Sequence, residues 1–115
     1  MSESRMIVEK YRTYWVNSQG ELHRVDGPAI EYNKGTKEWY LNGKRHREDG
    51  PAVDCTNGTK EWYVSGKLHR VDGPAIEYPN GEMDWLINGI QFSSQEEWFE
   101  ALSKEDKITY LFNME

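Results

Sequence analysis

The side chains that could do chemistry in this sequence recur at a fixed interval. Histidine, arginine and aspartate stand together in residues 23–29, His-Arg-Val-Asp-Gly-Pro-Ala, and close copies begin at His46 and His69. The distance from each histidine to the next is 23 residues. Histidine and aspartate are common in metal sites and in acid–base catalysis, and arginine binds anions. The repeat therefore suggests a metal, catalytic or anion site.

The spacing of the repeat argues against a shared metal site. Equivalent histidines would be separated by whole hairpins, in which neighbouring strands lie about 4.8 Å apart. Zinc requires ligand atoms about 2 Å from a single ion. Separate sites would need further ligands, and Cys55 is the only cysteine. We therefore predict no metal and no cofactor.

The sequence also lacks a singular catalytic constellation. A hydrolytic site has one nucleophile, one base and one orienting group, placed once rather than copied three times. The glycines stand in predicted hairpin turns or before proline, so none indicates a phosphate-binding loop. We predict that the chain has no catalytic residues and is not an enzyme.

The arginines of the repeat allow two interpretations. Arg24, Arg47 and Arg70 each stand two residues before an aspartate, which would place both side chains on one face if the strand continues through them. In the first interpretation, ion pairs and hydrogen bonds fix the Gly-Pro corner. In the second, the three arginines form a row that binds an anionic ligand such as a nucleotide, with Trp or Tyr stacked on the base.

Carboxylates recur in register as well. Two predicted rows contain Glu31, Asp54 and Glu77, and Glu38, Glu61 and Asp84. We expect Lys37 and Lys60 to stand beside the second row and to reduce its charge by cross-strand pairing. The rows are either an ordinary solvated face or a mimic of nucleic-acid phosphates that a basic partner recognises.

Each repeat unit has the pattern of a β-hairpin followed by a short link. In the first unit, strands are predicted over 28–32 and 36–41, a two-residue Asn-Gly turn follows, and a short third strand covers 44–47. The sequence predicts a mainly β fold, an elongated single antiparallel sheet of hairpins. Within a single domain of 1–115, an N-terminal half-repeat covers 6–22, the hairpin repeats cover 23–92, and a helical cap covers 93–115, with helices near 94–102 and 104–112.

Composition limits the classes of partner. The 115 residues include 20 acidic and 14 basic side chains, for a net charge of −6. Direct nucleic-acid binding requires a basic patch, so the balance favours a basic protein partner, which could itself bind nucleic acid. The first residues lack the apolar run that is typical of a signal peptide, and no apolar stretch approaches membrane length. We expect a cytoplasmic protein that does not bind membranes.

The repeat pattern resembles a known family. His-Arg-x-Asp-Gly-Pro-Ala followed by Trp-Tyr-x-x-Gly-Lys is similar to the MORN-variant, or toxin–antitoxin-wing-like, repeats over roughly residues 11–92. Such repeats are common in proteins of tailed phages and large DNA viruses. The resemblance implies a β-hairpin array, a viral origin and a location in the host cytoplasm, with no catalytic residues to transfer. The sequence departs from the pattern at 17–20 and after Gly89.

We interpret the chain as a non-enzymatic protein-interaction module. The resemblance adds a context, in which a phage-encoded inhibitor of a bacterial defence system binds a host protein. The predicted contacts are Tyr40 and Tyr63, the carboxylates Glu38 and Glu61, and Trp98. One alternative is an oligomeric sponge that sequesters a nucleotide second messenger through Arg24, Arg47 and Arg70, and another is a virion or scaffold component. A free edge strand near 6–9 would allow homo-oligomers.

The end of the repeat array bears on the role of the motif. Phe92 and Ser93 take the places of histidine and arginine, and no Asp-Gly-Pro-Ala follows them. The motif is therefore present only where another hairpin must begin, which indicates a joint that builds the sheet. Specific function is then expected where the units differ, at Cys55, at 17–20 and in the C-terminal helices.

Overall fold

The computed structural model describes residues 4–114, so that the ends of the predicted domain lie outside it. The described residues form thirteen strands and two helices. The strands are β1 Arg5–Val8, β2 Arg12–Val16, β3 Ile30–Tyr32, β4 Lys37–Glu38, β5 Tyr40–Leu41, β6 Lys44–Arg45, β7 Val53–Asp54, β8 Lys60–Glu61, β9 Tyr63–Val64, β10 Lys67–Leu68, β11 Ile76–Glu77, β12 Met83–Ile87 and β13 Ile90–Phe92. The helices are α1 Gln95–Ala101 and α2 Lys104–Asn113.

Nine of the strands form one antiparallel sheet, in the order β1-β2-β3-β4-β7-β8-β11-β12-β13. The chain adds strands from one edge to the other, as expected when successive hairpins join without intervening helices. The long axis of the molecule is 44 Å and the short axis 25 Å. The predicted fold, a mainly β sheet of hairpins with two C-terminal helices, is confirmed.

The sheet divides at a tryptophan in each of the two central units. β4 pairs with β3 and β7 in the large sheet, whereas β5 pairs with β6 in a separate two-stranded sheet. Trp39 lies between β4 and β5, and its backbone N–H donates to the carbonyl of Ala52 at 2.7 Å. β8, Trp62, β9 and β10 repeat the arrangement. The strand predicted over 36–41 is thus divided, because its two halves pair with different neighbours.

The hairpin turns follow from residue types that accept positive φ. Asn42, Ser65 and Asn88 have φ near +50°, and each is followed by glycine at about +80°. Positive φ at both central residues defines the type I′ turn, whose twist matches that of paired strands. The Gly43 N–H then donates to the carbonyl of Leu22 in the preceding unit, at 2.8 Å. Each turn thereby contacts the unit before it.

The core is thin and repetitive. Alanine is fully buried at three equivalent positions, 29, 52 and 75, where a larger side chain would have no room. Ile30 and Val53 beside them are also buried. Each unit therefore contributes a small, similar share of apolar surface, and the ends of the array need a cover.

The C-terminal helices cover one end of the array. α1 begins after Ser94, whose hydroxyl accepts a hydrogen bond from the Glu97 N–H, and α2 begins after Ser103, which accepts from Asp106. Serine at this position satisfies an otherwise unpaired N–H of the first turn. The predicted helices near 94–102 and 104–112 are confirmed within two residues at each end. Within residues 4–114, neither helix has the length and apolarity needed to cross a bilayer.

Candidate binding site

The three arginines of the repeat share a set of contacts, to which Arg24 and Arg70 each add a pair with a glutamate, Glu31 and Glu77. We call residues 23–29, 46–52 and 69–75 joints 1, 2 and 3. In joint 2 the Arg47 guanidinium lies 3.8 Å from the centroid of a Trp39 ring. Its Nε donates to Asp49 at 2.9 Å, which lowers the pKa of that carboxyl, and its Nη1 donates to the carbonyl of Pro51 at 3.0 Å. Joints 1 and 3 show these contacts too.

The glycine of each joint leaves room for the guanidinium. A Cβ added at Gly50 would lie 2.8 Å from Cζ of Arg47, and one added at Gly73 would lie 2.6 Å from Cζ of Arg70. Arginine is thus held between a tryptophan ring and a bare backbone. The predicted ion pair at the Gly-Pro corner is present, and the stacking on tryptophan completes it.

The three histidines bind hairpin turns rather than one another. Nδ1 of His23, His46 and His69 accepts a hydrogen bond from the backbone N–H of Asn42, Ser65 and Asn88, each at 2.9 Å. An accepting Nδ1 requires a neutral ring with its proton on Nε2. In the part of the chain that the structure describes, no three metal-ligating side chains come together.

Acid should weaken the joint at His69. Burial lowers the pKa of this histidine, and Asp106 partly opposes the effect. Because the pKa of His69 is lower in the folded than in the unfolded protein, the unfolded protein binds a proton first as the pH falls. The free energy of unfolding therefore decreases as the pH drops below about 6.5, the pKa of histidine in the unfolded chain, toward the lower pKa of the folded state. We expect a melting temperature lower at about pH 5 than at about pH 8, and a smaller difference in His69→Gln. Equal differences in both proteins would contradict this assignment.

Two grooves separate the three joints. Groove 1 lies between joints 1 and 2 and has a volume of about 570 Å³, and groove 2, between joints 2 and 3, has about 640 Å³. Ten positions lining groove 2 are those lining groove 1 shifted by one repeat, and Thr109 of α2 is added. Groove 1 is lined by Arg24, Val25, Asp26, Gly27, Trp39, Leu41, His46, Arg47, Glu48 and Asp49.

Each groove has an apolar floor and acidic rims. Trp39 and Leu41 form the floor of groove 1. The side chains of Asp26, Glu48 and Asp49 on its rims are more than four-fifths exposed. Asp26 and Asp49 pair with Arg24 and Arg47, so Glu48 is the rim acid that no arginine neutralises, and each groove has one more acidic than basic side chain. The sequence prediction assigned the aspartates only to ion pairs and missed these grooves. The signal that could have indicated the grooves is the aspartate that recurs before each Gly-Pro, because the aspartates of neighbouring joints line the groove between them.

Trp98 takes the arginine's place at the end of the array. Trp85 is the fourth tryptophan of the series, and its ring centroid lies 4.7 Å from that of Trp98. The Trp98 Nε1 donates to the Arg70 carbonyl at 3.1 Å. Ser93 occupies the position equivalent to the arginines, and its side chain is too short to cover the Trp85 ring. The prediction that Trp98 contacts a partner is wrong, because the residue is fully buried.

The other predicted contact residues form a cluster on the opposite face of the strands. Arg45 Nε donates to the Tyr40 hydroxyl at 3.1 Å, and its Nη1 lies 3.5 Å from the Tyr63 hydroxyl. Glu38 accepts from Tyr40 at 3.0 Å and pairs with Arg45 at 3.3 Å. Burial, followed by the charge of Glu61, raises the pKa of Tyr63. The structure therefore brings these four predicted residues together around Arg45, which the prediction missed. The signal was visible in the sequence, because the positions equivalent to Arg45 in the other units are uncharged: Leu22, Leu68 and Gln91.

The two carboxylate rows differ from the prediction in their lysines. Lys37 is opposite Glu31 and Asp54, and Lys60 is opposite Asp54 and Glu77, so both lysines belong to the first row. The second row instead alternates with Ile30, Val53 and Ile76. The prediction was wrong because Lys37 and Glu38 are consecutive, and consecutive strand residues point to opposite faces.

Cys55, where the units differ, lies half-buried after β7. Burial and the charge of Glu61 raise the pKa of its thiol. A thiol with a raised pKa is a poor nucleophile at neutral pH.

Comparison of the chain with protein-family models, with curated proteins and with solved structures finds no match.

Proposed function

We propose that this chain is a non-enzymatic protein-interaction module that binds a basic segment of a partner protein in grooves 1 and 2. The observation that carries the proposal is the repetition of one acid-rimmed, apolar-floored groove at equivalent positions. A lysine or arginine has an apolar stem that can pack on Trp39 or Trp62 and a charged end that the rim carboxylates attract. The net charge of −6 favours association with a positive partner.

The distance between the grooves suggests the form of that segment. Trp39 follows β4 and Trp62 follows β8, and β7 lies between these two strands, so the grooves are about 9.6 Å apart at two strand spacings. A polyproline II segment rises about 9.3 Å over three residues and returns to the same face. Two basic residues three apart in such a segment would therefore enter both grooves.

The resemblance to viral repeats supplies the proposed context. A host protein would be the partner, in the host cytoplasm, and binding would inhibit a bacterial defence system. This context is supported by the repeat motif alone. Capture of partners from bacterial lysate by the folded protein, followed by mass spectrometry, tests it.

Binding of model peptides tests the grooves directly. We expect a proline-rich peptide with lysines three residues apart to bind more tightly than one with lysines two apart, and added salt to weaken both. Glu48 lines both grooves, so Glu48→Lys should reduce affinity about tenfold by replacing attraction with repulsion. Glu38→Gln, on the opposite face, is the matched control and should leave affinity unchanged.

Two results would count against the groove site. A folded protein that binds neither peptide would contradict it. So would a loss of affinity in Glu38→Gln with Glu48→Lys unaffected, which would favour instead the cluster of Tyr40, Tyr63, Glu38 and Glu61.

The nucleotide sponge and the virion component stay predictions. The contacts of Arg24, Arg47 and Arg70 within their joints do not favour the sponge, and a thermal-shift screen with cyclic nucleotides tests it.

A further inference from the structure

Strand β1 presents an open edge of the large sheet. The sheet order places it at one end, and of the described residues only those of β2 pair with it. Met6 is 57% exposed and Val8 is 68% exposed. Natural edge strands usually carry proline, a bulge or an inward charge that prevents pairing with another chain. The sequence Arg-Met-Ile-Val of β1 has no proline and no charge in its interior, and its register with β2 is regular.

The pairing of β1 with β2 shows which backbone groups face outward. The Glu9 N–H donates to the Arg12 carbonyl at 2.8 Å, which makes these two residues a hydrogen-bonded pair. Because hydrogen-bonded and non-hydrogen-bonded pairs alternate along an antiparallel ladder, Ile7 and Arg5 also direct their backbone groups to β2. Met6 and Val8 therefore direct their N–H and C=O groups away from the sheet.

We propose that two copies of this chain form a dimer by antiparallel pairing of their β1 strands about a two-fold axis at Ile7. Met6 of one copy then lies opposite Val8 of the other, and each such pair exchanges two backbone hydrogen bonds. Arg5 lies opposite Glu9, whose carboxylate also pairs with Arg12 of its own copy at 2.9 Å, so that opposite charges flank an apolar centre. The occupant of the edge is thus a second copy, because the sequence around Ile7 is complementary to itself.

The charges select this register among those that the backbone allows. A two-fold axis at Met6 would place Arg5 opposite Ile7, and an axis at Val8 would place Ile7 opposite Glu9. Both leave a charge against an apolar side chain. Only the axis at Ile7 pairs charge with opposite charge and apolar residue with apolar residue.

The dimer would have a consequence for presentation of the grooves. Residues directly opposite in an antiparallel pair lie on the same face of the sheet. The dimer would therefore display the grooves of both copies on one face of a continuous sheet. Two linked basic segments could bind it with an avidity that one copy lacks. The dimer itself does not depend on the function proposed for the grooves.

Light scattering during size-exclusion chromatography tests the dimer. We expect the chain to show twice its mass of 13.5 kDa and to dissociate on dilution. Val8→Pro removes an outward N–H that β1–β2 pairing does not use, so this variant should be monomeric and should melt at the temperature of the wild-type chain diluted to monomer. A monomeric wild-type chain at the highest soluble concentration would overturn the proposal.

Charge exchange supplies a second test that does not depend on proline. Arg5→Glu should weaken dimerisation at least tenfold by setting like charges opposite each other, and so should Glu9→Arg. The double variant Arg5→Glu with Glu9→Arg restores the pairing of opposite charges and should restore the dimer. Failure of the double variant to recover dimerisation, while Arg5→Glu and Glu9→Arg remain folded, would overturn the register. Peptide binding to the grooves in the monomeric variants would show that the two proposals are separate.

Discussion

Replacement of Trp98 by alanine is expected to lower the free energy of unfolding by about 3–5 kcal/mol. Trp98 is fully buried between the rings of Trp85 and Tyr110, and its N–H reaches the Arg70 carbonyl. Truncation leaves a cavity and an unpaired carbonyl at the point where the helices meet the sheet. Domains of this size are stable by about 5–15 kcal/mol, so the loss is a large fraction of the total.

Urea unfolding followed by circular dichroism measures this effect, and Trp98→Phe is the matched control. Phenylalanine keeps most of the apolar area and loses the hydrogen bond to Arg70, so a smaller loss of about 1–2 kcal/mol is expected. A loss below about 1 kcal/mol in Trp98→Ala would show that the cap contributes little to the stability of the array.

Replacement of Arg47 by alanine should lower the free energy of unfolding by about 2–3 kcal/mol. Stacking of a guanidinium on tryptophan contributes about 0.5–2 kcal/mol, and a hydrogen bond from a charged group to a carbonyl about 1.5–3 kcal/mol. Arg47 makes both, to Trp39 and to Pro51. Its pair with the fully exposed Asp49 adds little, because water screens it.

Two further variants separate the contributions of Arg47. Arg47→Lys keeps the charge but not the planar fork, so most of the loss should remain. Gly50→Ala should destabilise through the same contact, since the added Cβ would displace the guanidinium from Trp39. Thermal unfolding measures all three. If Arg47→Ala abolished binding of the basic peptides at an unchanged melting temperature, the residue would be a ligand contact rather than part of the joint.

Much of the fold could be predicted because local residue types determine it. Asn42-Gly43 and its equivalents accept the positive φ of tight hairpin turns, and Ser94 and Ser103 cap the two helices. The ion pair of Arg47 with Asp49 also joins residues that are two apart in sequence, although both lie after the end of β6 rather than in a strand. These features depend on residues that are close in sequence, so that they can be inferred without knowing how the units pack.

The features that could not be predicted depend on contacts between units. The division of the strand at Trp39 requires knowing that Ala52 of the next unit lies beside it. The burial of Trp98 depends on the absence of an arginine at Ser93, and only the packing of α1 on β12 shows how the space is filled. The grooves arise from two joints 23 residues apart, and neither joint forms a groove alone.

The hydrogen bond from each turn to the histidine 19 residues before it has a consequence for how such a chain can change in length. Joint 2 contacts the turn of its own unit through His46 and Trp39 of the preceding unit through Arg47, so residues 46–68 form a self-consistent cassette. If this segment were duplicated, each copy would contain both the histidine equivalent to His46 and the turn equivalent to Ser65. The hydrogen bond between them would therefore form in both copies. Gene duplication could therefore lengthen the array in whole steps, adding one groove at each step, while the N-terminal hairpin of β1 and β2 and the C-terminal helices stay the same.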